Sequence, residues 1–332
     1  MDEAQVIPLH GPGGPRPRRD AGSDSAGGRS AEVYPFGSSA AMRRVAAAES
    51  SLAGLEKRLS SSLSFVRRRL AGDYTVDEFG FDSDLTENVV APVLGPLYDS
   101  WFRVEVNGMH NVPDEGGALL VANHAGGLWP VDSAMTALAV HREHPEHRFV
   151  RLLGADLLFG LPGFGTLARK AGATLACNAD AERLLAAGEL VAVWPEGFKG
   201  IGKPFSQRYK LQRFGRGGFV HAALATGVPI IPVSIVGSEE TYPKLGEIRT
   251  LARLLNMPYF PVTPTFPLLG PLGLVPLPSK WYIEFGTPIQ THAYGPRAEE
   301  DPALLFELTD RVRETIQSTL YRLLVQRRSV WR

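Results

Sequence analysis

The stretch Val121-Ala122-Asn123-His124-Ala125-Gly126-Gly127-Leu128-Trp129-Pro130-Val131-Asp132 decides how this chain is read, and Val193-Trp194-Pro195-Glu196-Gly197 answers it further on. Ala118 to Ala122 is a run that suits a strand, and it delivers a histidine into a glycine-rich turn. An aspartate follows where a helix is expected to start. A histidine titrates near neutrality and can take a proton from a hydroxyl. A carboxylate on its other ring nitrogen fixes the tautomer and stabilises the imidazolium that forms. Such a base needs no nucleophilic serine or cysteine when the hydroxyl belongs to the substrate.

Outward from this stretch, strands and helices alternate. Strands are expected over Phe102 to Val106, Ala118 to Ala122, Arg148 to Leu153, Ala173 to Ala176, Leu190 to Trp194, Ile230 to Val236 and Trp281 to Phe285. Helices are expected from Asp132 to about Arg142, near Ala179 to Ala187 and from about Gly217 to Thr226, with helical turns through Leu158 and Leu167. That alternation predicts an α/β fold, a mixed or largely parallel sheet flanked by helices. His124 and Glu196 fall at strand-to-helix junctions, which gathers them at one end of the sheet, where α/β folds place ligands.

The chain has 332 residues, 44% of them hydrophobic, enough for one large catalytic domain with terminal additions. Residues 1–45 are rich in Gly, Pro, Ser, Ala and Arg and are expected to be disordered. Residues 46–100 hold an amphipathic helix, with Leu52, Leu55, Leu59, Leu63, Val66 and Leu70 on one stripe and Arg67-Arg68-Arg69 at its end, and then an acidic connector. That helix suits packing on the catalytic domain or lying on an anionic membrane surface. Residues 101–290 form the catalytic domain. Within it, 254–279 is apolar and uncharged, and its seven prolines argue against a membrane span. Pro258, Pro261, Pro264 and Pro267 recur every third residue, the period of a polyproline II rod. Residues 291–332 carry a second amphipathic helix, with Asp301 as N-cap and Pro302 at its first position.

His124 with Asp132, then Pro195-Glu196-Gly197, then Val228-Pro229-Ile230-Ile231-Pro232-Val233 resemble, in order and spacing, three blocks of the phospholipid/glycerol acyltransferases. The likeness runs from about Phe102 to Ile289 and looks closest to an actinobacterial branch, on the Gly126-Gly127-Leu128-Trp129-Pro130 insertion and the Pro-rich segment. It implies transfer of a fatty acyl group from acyl-CoA or acyl carrier protein to a hydroxyl of a glycerol-phosphate or lysophospholipid-type acceptor. His124 would be the general base and Asp132 its orienter, although seven residues separate them where the family has four. Glu196 and Gly197 would bind the acceptor. The family's phosphate-binding arginine is replaced by Asn178, which keeps a non-phosphorylated glycolipid or alcohol acceptor open.

Beyond Glu196 lie Lys199, Lys203, Arg208 and Lys210, read either as a solvated loop or as a phosphate grip for the acceptor or for the nucleotide end of coenzyme A. A hydrolase of the α/β type would need Gly-x-Ser-x-Gly, which is absent from the sequence. A catalytically inactive lipid-binding relative is the other alternative. His141, His144 and His147 flank a proline that breaks their common face, so no metal or other cofactor is expected. Net charge is zero, so no nucleic-acid partner is expected. A lone cysteine, Cys177, and no secretory h-region predict a cytoplasmic enzyme, peripheral on the inner face of the membrane.

Overall fold

The computed structural model describes residues 60–125, 130–160, 163–255, 257–295 and 297–331, all within the unit Arg58–Arg332. The tail 1–45 and the first part of the helix expected from Ala46 lie outside them. Strand β2, Ala118–Ala122, is apolar and buried at every position, a pattern suited to a strand covered on both faces. It is the middle of a seven-stranded sheet ordered β1-β9-β6-β2-β5-β3-β4. Its partners are β1 (Glu105–Asn107), β3 (Val150–Gly154), β4 (Ala173–Leu175), β5 (Leu190–Val193), β6 (Ile230–Val236) and β9 (Tyr282–Phe285). Every pair is parallel except β6 with β9. Leu119 pairs with Val191 on one side and with Ile230 on the other.

The side-chain alternation of β2 feeds two cores. Leu119 and Val121 pack in one with helices α5 (Asn178–Ala186), α7 (Gly218–Thr226) and α9 (Pro302–Gln326). Ala118, Leu120 and Ala122 pack in the other with helix α2 (Val131–Glu143), Tyr98, Phe102 and Trp281. Helix α9 begins as its sequence predicts: the Asp301 side chain accepts from the Ala303 and Leu304 amides, and Leu308, Val312, Ile316, Leu320 and Leu323 are buried along one stripe. Short helices α3 (Asp156–Gly160) and α4 (Phe164–Lys170) follow β3, and α6 (Phe198–Ile201) follows β5.

Residues 60–71 are helical (α1). Arg69 makes a two-pronged contact with the buried Asp82, and Arg68 pairs with Asp84, so two of the three terminal arginines are engaged by the acidic connector. The polyproline rod expected in the Pro-rich segment does not form. Pro261–Val262 (β8) pairs antiparallel with Gly246–Glu247 (β7), with helix α8 (Arg249–Leu254) between them. The Leu245 and Ile248 amides take the Val262 and Phe260 carbonyls, hydrogen bonds that a polyproline helix leaves to water. Among the described residues, no helix is long and apolar enough to cross a membrane.

Candidate active site

Three neighbouring parallel strands, β6, β2 and β5, end at one edge of the sheet, and each delivers an ionisable residue just past its last position: Glu239, His124 and Glu196. Asn123 extends the pairing of β2 beyond its formal end. Its side-chain amide donates to the Ile235 carbonyl at 3.0 Å, and its oxygen accepts from the Ile235 amide at 2.7 Å. The chain is therefore fixed on β6 one residue before the histidine.

The imidazole of His124 meets Asp132 across the turn. Nδ1 lies 2.7 Å from Oδ2 of Asp132. Asp132 stands in the first turn of α2 and is completely buried. Such a carboxylate is costly unless its lone pairs are used, and they are: Oδ2 also accepts from the Ala125 amide at 2.9 Å, and Oδ1 from the Ser133 amide at 2.8 Å. The seven intervening residues thus do not separate the pair. Trp129, at the position the family's shorter spacing would use, lies outside the described residues.

Glu196 is as deeply placed. Oε1 accepts from the His124 backbone amide at 2.9 Å and Oε2 from the Gln212 amide at 2.6 Å. Gly197 has φ 54 and ψ −143, conformations that favour glycine, and turns the chain into α6. Gly200 then lies so close that a Cβ on it would meet the Glu196 Cβ at 2.7 Å and the His124 carbonyl oxygen at 2.8 Å. Lys203, also buried, sits 2.6 Å from Oε1 of Glu239 and 3.6 Å from Oε2 of Glu196. Burial pushes the Glu239 carboxyl up to about 7, against the pull of Lys203 in the opposite direction.

An apolar cavity of about 410 Å³ opens beside His124, within the range of ligand pockets. Its walls come from the end of β3 (Leu152, Gly154), from α3 and α4 (Leu158, Phe164, Leu167) and from the start of α2 (Ser133, Ala134). No Asp, Glu, Lys or Arg of the described residues lines it. Trp194, also on the wall, has its ring 6.0 Å from the imidazole, and its buried indole N–H has no hydrogen-bond partner among the described residues.

The basic run is dispersed. Lys203, read as part of a solvated loop or of a phosphate grip, is buried and faces two carboxylates. Lys199 is exposed on α6. Arg208 and Lys210 are exposed and line a different cavity, of about 570 Å³, with Arg327 and Arg328. Between them, Tyr209 turns inward, and Gln317 of α9 fixes the segment by donating to the Tyr209 carbonyl at 2.8 Å and accepting from the Leu211 amide at 2.9 Å. Asn178 opens α5 at the end of β4, with its side chain against Gly218. His144 faces the Val112 carbonyl, while His141 and His147 bond to each other's backbone carbonyls. Sequence reasoning missed Asn123, Glu239 and Gln317. Asn123 carried a signal, a polar residue at the end of an all-apolar strand; the other two act on partners far away in the chain.

A family model described as Acyltransferase matches residues 103–236, a span that holds β1 through β6. The chain is similar to an uncharacterized protein of Mycobacterium tuberculosis, 60% identical over 277 residues that make up 83% of this chain and 77% of that one. An uncharacterized protein of Mycobacterium leprae is 60% identical over 85% of this chain and 77% of its own. The human DGAT1/2-independent enzyme synthesizing storage lipids is 26% identical over 66% of this chain and 61% of its own. The crystal structure of the 1-acyl-sn-glycerophosphate acyltransferase of Thermotoga maritima superposes with a TM-score of 0.47 at 19% identity, over 80% of this chain and 97% of that one. The matched family span ends at Val236 and takes in His124, Asp132 and Glu196: the chain belongs to the acyltransferase family and is an acyltransferase.

Proposed function

We propose that this enzyme moves a fatty acyl group from acyl-CoA or acyl carrier protein to a hydroxyl of a glycerol-phosphate or lysophospholipid-type acceptor, at the cytoplasmic face of the membrane. The observation that carries this reading is the His124–Asp132 pair at the mouth of an uncharged apolar cavity. With Nδ1 directed to Asp132, the neutral imidazole keeps its lone pair on Nε2. Nε2 takes the acceptor's proton as the hydroxyl oxygen attacks the thioester carbonyl. The tetrahedral intermediate collapses with cleavage of the C–S bond, and the imidazolium returns the proton to the departing sulfur, leaving ester and free thiol. Asp132 stabilises the imidazolium in between, and the cavity takes the acyl chain out of water, a gain of roughly 0.8 kcal/mol per methylene buried.

Glu196 serves this reading as a brace for the histidine, because both of its oxygens are occupied by backbone amides. Gly197 lines the cavity and can meet substrate directly. Of the basic run, Lys199 is the cation nearest in sequence to Gly197 that has no carboxylate partner among the described residues, whereas Arg208 and Lys210 suit the nucleotide end of coenzyme A if the donor crosses that face. A second reading, a non-phosphorylated glycolipid, glyceride or alcohol acceptor, is favoured by the absence of cations among the described residues of the cavity wall and by the human relative's name, which refers to storage lipids.

Incubation with acyl-CoA labelled in the acyl chain, with glycerol phosphate, a lysophospholipid, a monoacylglycerol or a diacylglycerol offered in parallel, tests both. Label is expected in an ester of one acceptor, and the responding arm decides between the two readings. Label recovered only as free fatty acid would contradict both.

A further inference from the structure

Helix α8 and the turns that follow β8 hold six large aliphatic side chains in solvent: Leu254, Leu255, Leu268, Leu269, Leu272 and Val275. Leu268 is 85% exposed, Leu254 79% and Leu272 72%, a concentration that is a liability for a surface meeting only water. The backbone beneath them is folded. Strands β7 and β8 close around α8, the Leu269 amide donates to the Thr265 carbonyl, and the Phe266 ring packs on Phe260 with centroids 5.3 Å apart.

The charge around these side chains has one sign left over. No charged residue occurs from Leu254 to Ser279. At the near edge stand Lys244, Arg249 and Arg253 against the single carboxylate of Glu247, which already pairs with Lys244 at 2.8 Å and Arg249 at 2.9 Å. An apolar surface with a basic edge matches the acyl boundary of a bilayer beneath anionic headgroups.

The same unit is fastened to the catalytic turn. Lys244 Nζ donates to the Gly202 carbonyl at 2.7 Å, and a Cβ on Gly202 would lie 3.3 Å from the Tyr259 ring. Ile201, the residue before, lines both the cavity beside His124 and a smaller cavity walled by Tyr259 and Phe266. Burial, and after it the charge of Asp132, holds the Tyr259 phenol well above its usual range.

We infer that residues 244–255 and 257–275 form the surface by which the enzyme sits on an anionic lipid bilayer, its leucines in the headgroup boundary and the α6 turn between that surface and the cavity. The inference rests on the reading of the substrates as lipids, and it gives them a route in which Phe198 and Ile201 are met before His124.

The full-length chain with Leu268→Gln and Leu272→Gln together tests it in vesicle co-sedimentation, on phosphatidylcholine alone and on phosphatidylcholine with phosphatidylglycerol. The unaltered chain is expected to bind the mixed vesicles more strongly, and the double variant to lose at least tenfold in partitioning. Its thermal midpoint and its turnover of a water-soluble short-chain acceptor should stay unchanged. Arg249→Gln with Arg253→Gln should weaken binding to the anionic vesicles alone. Undiminished partitioning of the leucine variant, or no vesicle binding by the unaltered chain, would overturn the inference. So would a dimer-to-monomer change in the leucine variant without an effect on vesicles, which would make the patch a contact with a second copy. Vesicle binding needs no turnover, so failure of the acyl-transfer reading would appear separately, in the labelled-product assay.

Discussion

Both oxygens of Asp132 are engaged. Its two oxygens receive the His124 imidazole and the amides of Ala125 and Ser133, all in a site without solvent. An asparagine there has one acceptor oxygen, so either orientation sets an NH₂ group against a donor. Asp132→Asn is therefore expected to lower kcat at least tenfold, because an amide does not stabilise an imidazolium. It should also cost stability, about 1–3 kcal/mol for the buried donors left unmatched, read as a lower urea midpoint. Full activity in this variant would mean that the orienter is another residue. His124 and Asp132 were legible in the sequence because each stands at a junction between elements. The bracing role of Glu196 was not, since its acceptor oxygens serve amides 72 and 16 residues away, a relation without local pattern.

Between elements, the ends of β6, β2 and β5 are tied by Glu239, Lys203 and Glu196, two carboxylates about one ammonium. Burial raises the Glu239 carboxyl from an ordinary 4.5 to about 7. Between those values the native state holds a proton that the unfolded chain has released, so this group makes stability fall as pH rises through that window and level off above it. Glu239→Gln removes the titration. Urea unfolding of the two proteins at a series of pH values should give curves that differ in slope across the window by up to about 3 kcal/mol in total. Parallel curves would show that Glu239 is ionised throughout. The acidic residues after β6 are plain in the sequence, but that one of them closes over Lys203 follows from the order of strands in the sheet.

For the molecule as a whole, strand and helix alternation in the sequence predicted a mixed, mostly parallel sheet, and β2, β6 and α9 lie where their apolar patterns placed them. What the pattern did not reveal was pairing. That β9 returns antiparallel beside β6, and that the Pro-rich segment pairs with β7 instead of forming a rod, depend on partners outside each segment. The two cores lie on either face of one sheet, and His124, the base proposed above, belongs to neither. His124→Ala should accordingly leave the thermal midpoint within a few degrees of the unaltered enzyme. The decisive measurement is the rate of thiol release from acyl-CoA by this variant with saturating lipid acceptor. A fall of about 10²- to 10⁴-fold at unchanged fold is expected for loss of a general base, and retention of more than about a tenth of the original rate would contradict the role given to His124.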